Sequence, residues 1–150
     1  MRDDLDDPVD LPAQVRRVVS LVPSLTEAIA ATRPELLVGA TDWCTHPEGL
    51  AVTRVRGTKN PDVNAIARLA PDLVVANREE NRKLDVQRLR DRGIAVWVTR
   101  IDTVHDALTS LRRLFTEALA TPAVDWLDDA DAVWSAAPRL PALDVALPIW

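Results

Sequence analysis

Residues 17–27 read Arg17-Val18-Val19-Ser20-Leu21-Val22-Pro23-Ser24-Leu25-Thr26-Glu27, and this run decides the fold class. Its first half is short, β-branched and apolar without alternation, the pattern of a strand buried on both faces. Pro23 stops that strand. Ser24, with Glu27 three residues later, predicts a capping box, in which hydroxyl and carboxylate satisfy the first free N–H groups of a helix. Leu25, Ala28, Ile29 and Thr32 follow at helical spacing, and Pro34 closes the helix. A doubly buried strand that turns at once into a helix opens a parallel crossover sheet.

The same alternation recurs downstream. Leu36-Leu37-Val38-Gly39-Ala40 is a second strand, and Thr53-Arg54-Val55-Arg56 a brief one within the irregular stretch Thr41 to Lys59. Asn60-Pro61 predicts a helix start, a side-chain cap followed by proline at the first helical position, with Val63, Ile66, Ala67 and Leu69 as its apolar face. Leu73-Val74-Val75-Ala76 is a third strand, ending at Asn77. Asn81 to Arg92 is a charged helix with Leu84 and Leu89 inward and Gly93 left-handed beyond it. Ile94 to Val98 is a fourth strand. Asp102 is expected to cap a helix carrying Val104, Ala107, Leu108, Leu111, Phe115, Ala118 and Leu119. Thr121-Pro122 opens a last helix with Val124, Leu127, Val133 and Trp134 on one side. The expected fold is α/β, a parallel-sheet, Rossmann-like lobe.

The flanks read differently. Residues 1–14, with Asp3, Asp4, Asp6, Asp7 and Asp10, are expected to be an acidic, disordered tail. Leu143 to Trp150 begins like another strand and then stops, so the chain is expected to continue or to be a fragment. The start is the reverse of a secretory signal. A cytoplasmic location is therefore expected, or a periplasmic or extracellular one if the true start lies upstream.

Composition narrows the function. A net charge of −5 argues against a nucleic-acid partner, because phosphate neutralisation needs clustered Lys and Arg. No run approaches the roughly 20 apolar residues of a membrane helix, so no membrane insertion is expected. Cys44 is the single cysteine and excludes an internal disulfide. The glycines stand at 39, 49, 57 and 93, and none builds a dinucleotide fingerprint or a phosphate loop. One cysteine and two histidines do not make a structural zinc site, and neither metal nor cofactor is expected.

Candidate residues cluster after the strands, because open parallel sheets bind ligands outside the carboxyl ends of their strands. Thr41-Asp42-Trp43-Cys44-Thr45-His46-Pro47 follows the second strand. It reads as a ligand-contacting loop with Trp43 as a flat apolar face, as an enzyme's Cys44–His46 nucleophile and base, or as Trp43 packed over the sheet with an inert thiol. Asn77-Arg78-Glu79-Glu80-Asn81 is a site by position, or a solvated loop with Asn81 capping the next helix. In Gly57-Thr58-Lys59-Asn60, Lys59 meets an anionic ligand group or is a surface lysine. His105 reads as solvent-facing, and Asp125, Asp128, Asp129 and Asp131 as the wet face of a helix.

Five blocks in register resemble the periplasmic-binding domain family for iron–siderophore complexes and cobalamin, the helical-backbone metal receptors. They are Arg17 to Glu27; Val38-Gly39-Ala40-Thr41-Asp42 with Pro47; Val55-Arg56-Gly57 leading to Asn60-Pro61-Asp62; Leu69-Ala70-Pro71-Asp72-Leu73-Val74; and Gly93-Ile94-Ala95-Val96. The resemblance implies two α/β lobes joined by a long helix, with the ligand between them. Residues 15–120 would then be the N-terminal ligand-binding lobe, 121–138 the linking helix and 139–150 the start of a truncated second lobe. It also implies a substrate-binding protein without catalytic residues, a corrinoid or iron chelate as ligand, and an ABC transporter permease as candidate partner. The loops it points to hold Ser24 and Leu25; Asp42, Trp43 and His46; Thr58, Lys59 and Asn60; and Asn77, Glu79, Glu80 and Asn81. Exported members often carry Glu seven residues before the Pro-Asp-Leu-Val block, where this chain has Asn64. The alternatives are a small-molecule enzyme on the Cys44–His46 loop and a truncated remnant that binds nothing.

Overall fold

The computed structural model describes residues 1–137. In chain order the elements are β1 (Val18–Ser20), α1 (Pro23–Thr32), β2 (Leu37–Ala40), β3 (Thr53–Arg54), β4 (Arg56–Gly57), β5 (Asn60–Pro61), α2 (Val63–Arg68), β6 (Leu73–Asn77), α3 (Lys83–Arg90), β7 (Val96–Thr99), α4 (Val104–Arg113) and α5 (Asp125–Ala136). A five-stranded sheet has the order β3-β2-β1-β6-β7, and every pairing in it is parallel. The expected α/β class is therefore present. The expected strand beyond residue 138 lies outside the described residues.

The apolar run at β1 is buried on both faces, as its lack of alternation implies. Val18 joins one core with Ile29, Leu73, Val75, Trp97, Leu114 and Phe115. Val19 joins the other with Ile66, Val74, Ala76, Leu89, Val96 and Val98. Neighbouring residues of each strand thus serve opposite faces, the period of two that a pleated strand enforces. Ile29 of α1, Phe115 just past α4 and Leu127 of α5 cover the first face. Ile66 of α2 with Val86 and Leu89 of α3 covers the second.

Several expected helix boundaries are corrected. The Ser24–Glu27 capping box does not form: α1 starts at Pro23, and Val22 is its cap without a side-chain bond. Proline fits there because a first-turn N–H has no helical partner anyway, and Thr26 supplies a bond by donating its Oγ1 to the Val22 carbonyl at 2.9 Å. Asn60-Pro61 is the short strand β5, and Asp62 caps α2 by accepting from Ala65 N–H at 2.9 Å. Thr103, not Asp102, caps α4 by accepting from Asp106 N–H. Leu84 is exposed, and Val86 takes the inward place beside Leu89. Gly93 does hold a left-handed φ of 74°. Past α4 the helix widens into a π-type turn over Leu114–Ala118, and α5 opens at Asp125 rather than at Pro122. Val133 and Trp134 of α5 are exposed, whereas Val124 and Leu127 are buried. Asp128 and Asp131 pair with Arg112, so the acidic face is not wholly solvated.

The largest correction concerns residues 1–14. They are not a disordered tail. The chain folds back at an Arg2–Pro8 bridge, Val9 enters the first core, and Asp3 is buried. Its carboxylate meets Arg90 at 2.9 Å, and Asp4 meets Arg113 at 2.6 Å. A carboxylate can leave water when a guanidinium and peptide N–H groups replace its solvent. No helix among the described residues is long and apolar enough to cross a membrane.

Candidate functional site at the carboxyl rim of the sheet

Because all five strands run parallel, their carboxyl ends share one edge, and the loops at Trp43, Lys59 and Asn77 meet there. Asn81 is the junction. Its Oδ1 accepts from Asn77 N–H at 2.9 Å, and its Nδ2 donates to the Thr58 carbonyl at 2.9 Å and the Leu21 carbonyl at 3.4 Å. Asn77 does the same one strand over. Its Oδ1 accepts from the N–H groups of Glu79 and Glu80 at 2.8 and 3.2 Å, and its Nδ2 faces Thr99 Oγ1 at 3.2 Å. Both amides are buried and occupied within the protein. They shape the rim, and Asn81 does not cap α3. Lys59 adds a tie by donating Nζ to the Glu79 carbonyl at 2.5 Å.

The loop after β2 is also held from below. Arg54 Nη1 donates to the carbonyls of Thr41 at 3.0 Å and Cys44 at 2.8 Å. Asp42 N–H donates to the Arg56 carbonyl at 2.8 Å, from a residue held at a left-handed φ of 68°. Trp43 stands on this frame with 68% of its surface exposed. One edge of its indole is close-packed: a methyl group at Gly57 would come within 3.2 Å of Trp43 Nε1 and 2.5 Å of Asn60 Oδ1. The indole thus packs by its Nε1 edge, while most of the residue lies open to solvent.

Beside this lies a cleft of about 450 Å³, lined by Ser24 and Leu25 at the start of α1, by Asn77, Glu79 and Glu80, and by Thr99 and Ile101 beyond β7. Ser24, Glu79 and Glu80 are exposed, while Leu25 is a buried core residue. Thr99 and Ile101 were not anticipated from the sequence, because nothing local marks the end of a fourth strand as a wall of this cleft. Outside it, Arg78 bonds Asp102 at 2.7 Å and Glu79 at 2.8 Å. The hydrogen bond from Arg100, reinforced by the Arg78 cation, holds the Asp102 carboxyl below its ordinary range. A larger hollow of about 550 Å³ opens between Leu5 and α3. It shares Asn77, Arg78 and Asn81 with the rim, and its other walls are Leu5 and Asp7 of the N-terminal segment, Val98 of β7, and α3.

The Cys44–His46 pairing does not form. Cys44 is fully buried, and its Sγ contacts Thr26 Oγ1 at 3.0 Å and Thr41 Oγ1 at 3.1 Å, while His46 is exposed. A thiol enclosed by two hydroxyls has no base to activate it. Among the described residues, no three His, Cys, Asp or Glu side chains lie close enough to hold a metal ion.

No family model matches the chain. A vitamin B12-binding protein of Pectobacterium carotovorum is 33% identical over 103 residues, which cover 67% of this chain and 37% of that protein. The chain thus matches well under half the length of this relative. Among solved structures, a periplasmic heme-binding protein from Pseudomonas aeruginosa superposes with a TM-score of 0.71 at 21% identity, covering 81% of this chain and 43% of that one. The periplasmic vitamin B12-binding protein of Vibrio cholerae gives 0.63 at 24%, covering 81% and 47%. These proteins are named for binding, and the resemblance drawn from the five sequence blocks is borne out.

Proposed function

We propose, on the premise that this chain is a relative of the periplasmic vitamin B12-binding proteins, that its sheet rim binds one face of a metal chelate, a corrinoid or an iron–siderophore complex, without catalysis. The observation that carries the reading is the convergence of three loops on one edge: Asn81 and Lys59 tie residues 58–60 to residues 77–80, and the Asp42 N–H bond to the Arg56 carbonyl holds the Trp43 loop beside them. A chelate of this size has a broad, partly apolar face and a polar periphery. The exposed Trp43 supplies apolar contact, and Ser24, Asn60, Glu79 and Glu80 supply polar groups at its margin. In this reading residues 15–120 are one lobe, 121–138 including α5 form a linking helix, and a second lobe completes the cleft. A single rim buries only part of a ligand, so its affinity is modest. A periplasmic location and a transporter permease as partner belong to the same proposal and replace the cytoplasmic expectation.

Titration of the chain with cyanocobalamin, hemin and a ferric siderophore, followed by ligand absorbance, tests this. One ligand class is expected to give a saturable spectral change. Trp43→Ala should weaken it about tenfold, the loss of one aromatic contact, with the circular dichroism unchanged. No saturable change with any of the three ligands overturns the reading.

A further inference from the structure

We infer that residues 2–8 are an edge guard, which occupies the outward hydrogen-bonding groups of β7 and prevents this edge from pairing with a second copy of the chain. β7 ends the sheet, with β6 on one side only. An unprotected edge strand presents a row of free N–H and C=O groups to any passing strand. Here the groups that point away from β6 belong to Val96, Val98 and Arg100, and the same molecule meets four of these six. Val98 N–H donates to Asp3 Oδ2 at 3.2 Å, and the Val98 carbonyl accepts from Asp4 N–H at 3.2 Å. Arg100 N–H donates to Asp4 Oδ2 at 3.2 Å, and the Val96 carbonyl accepts from Arg90 at 3.3 Å.

The guard is itself locked. Asp3 Oδ1 accepts from the N–H groups of Leu5 and Asp7 at 2.9 and 3.0 Å. Arg90 clamps Asp3 and Asp7 at 2.9 and 2.7 Å, and Arg113 and Ser110 hold Asp4. Carboxylates facing edge N–H groups make charge-assisted bonds that a neutral incoming carbonyl cannot match, and covalent attachment raises their effective concentration. The opposite edge, β3, is only two residues long and is a poor template. The occupant excluded is a second copy. Two β7 strands related by a two-fold axis would pair antiparallel, with Val98 of each exchanging N–H and C=O with the other.

Light scattering on a variant lacking residues 2–8 tests this, beside hydrogen exchange of the Val98 and Arg100 amides. The folded variant is expected to dimerise with rising concentration, and a peptide of residues 1–9 added in excess should return it to monomer. A folded variant that stays monomeric overturns the inference, as does a dimer that the peptide leaves intact. If the deletion does not fold, the full chain carrying Asp3→Asn and Asp4→Asn decides. Its Val98 and Arg100 amides should exchange about tenfold faster than in the parent, and unchanged exchange at both refutes the guard.

Discussion

Asn81 shows how much one side chain can organise. It holds two loop carbonyls and one strand N–H that would otherwise be buried without partners. Asn81→Ala leaves those groups unsatisfied, and each such group costs about 1–3 kcal/mol. The variant should lose roughly 2 kcal/mol or more by urea denaturation and bind ligand less well. Asn81→Asp should be nearly as damaging, because a carboxylate keeps the acceptor but loses both donors. From the sequence, Asn81 was visible as a residue after a strand, but whether its amide faced solvent or the Thr58 and Leu21 carbonyls was not. Those partners lie 23 and 60 residues away, and no local pattern encodes such distances. Cys44 was similarly ambiguous until Thr26 and Thr41 closed around it.

At the scale of elements, caps set both stability and its pH dependence. The Asp62 carboxyl is held below its ordinary range, first by the Ala65 N–H it accepts and then by the Arg56 cation. A depressed carboxyl adds stability above its unfolded-state value and loses it as pH falls through the folded-state value. Thermal midpoints of the parent and Asp62→Asn should therefore differ at neutral pH, the parent being the more stable, and should converge in acid below the aspartate range. A gap that persists at low pH would show that the charge is not the cause. The element order was readable because runs such as Leu73-Val74-Val75-Ala76 permit little but a buried strand. The starts of helices were not. Ser24, Asn60 and Asp102 have good capping chemistry, yet the cap positions fall to Val22, Asp62 and Thr103, each within two residues. The acidic segment 1–14 is illegible in the sequence for a related reason. Its stability comes from Arg90 and Arg113, and no short-range periodicity records a partner more than eighty residues away.

For the molecule as a whole, the sheet separates two cores. Ile29 lies in one and Ile66 in the other, each fully buried. Ile29→Val and Ile66→Val should each cost about 1 kcal/mol, and the double variant should cost their sum to within about 0.5 kcal/mol. A clear excess in urea denaturation would mean that the sheet transmits strain between its faces. The guanidinium of Arg54 has a different consequence. It grips the loop after β2 by its peptide oxygens, at Thr41 and Cys44, rather than by any side chain. Those bonds make no demand on the side chains at Asp42, Thr45 and His46. Single substitutions at Asp42, Thr45 or His46 should therefore leave the backbone of that loop where it stands, a result that amide chemical shifts of residues 41–46 would check.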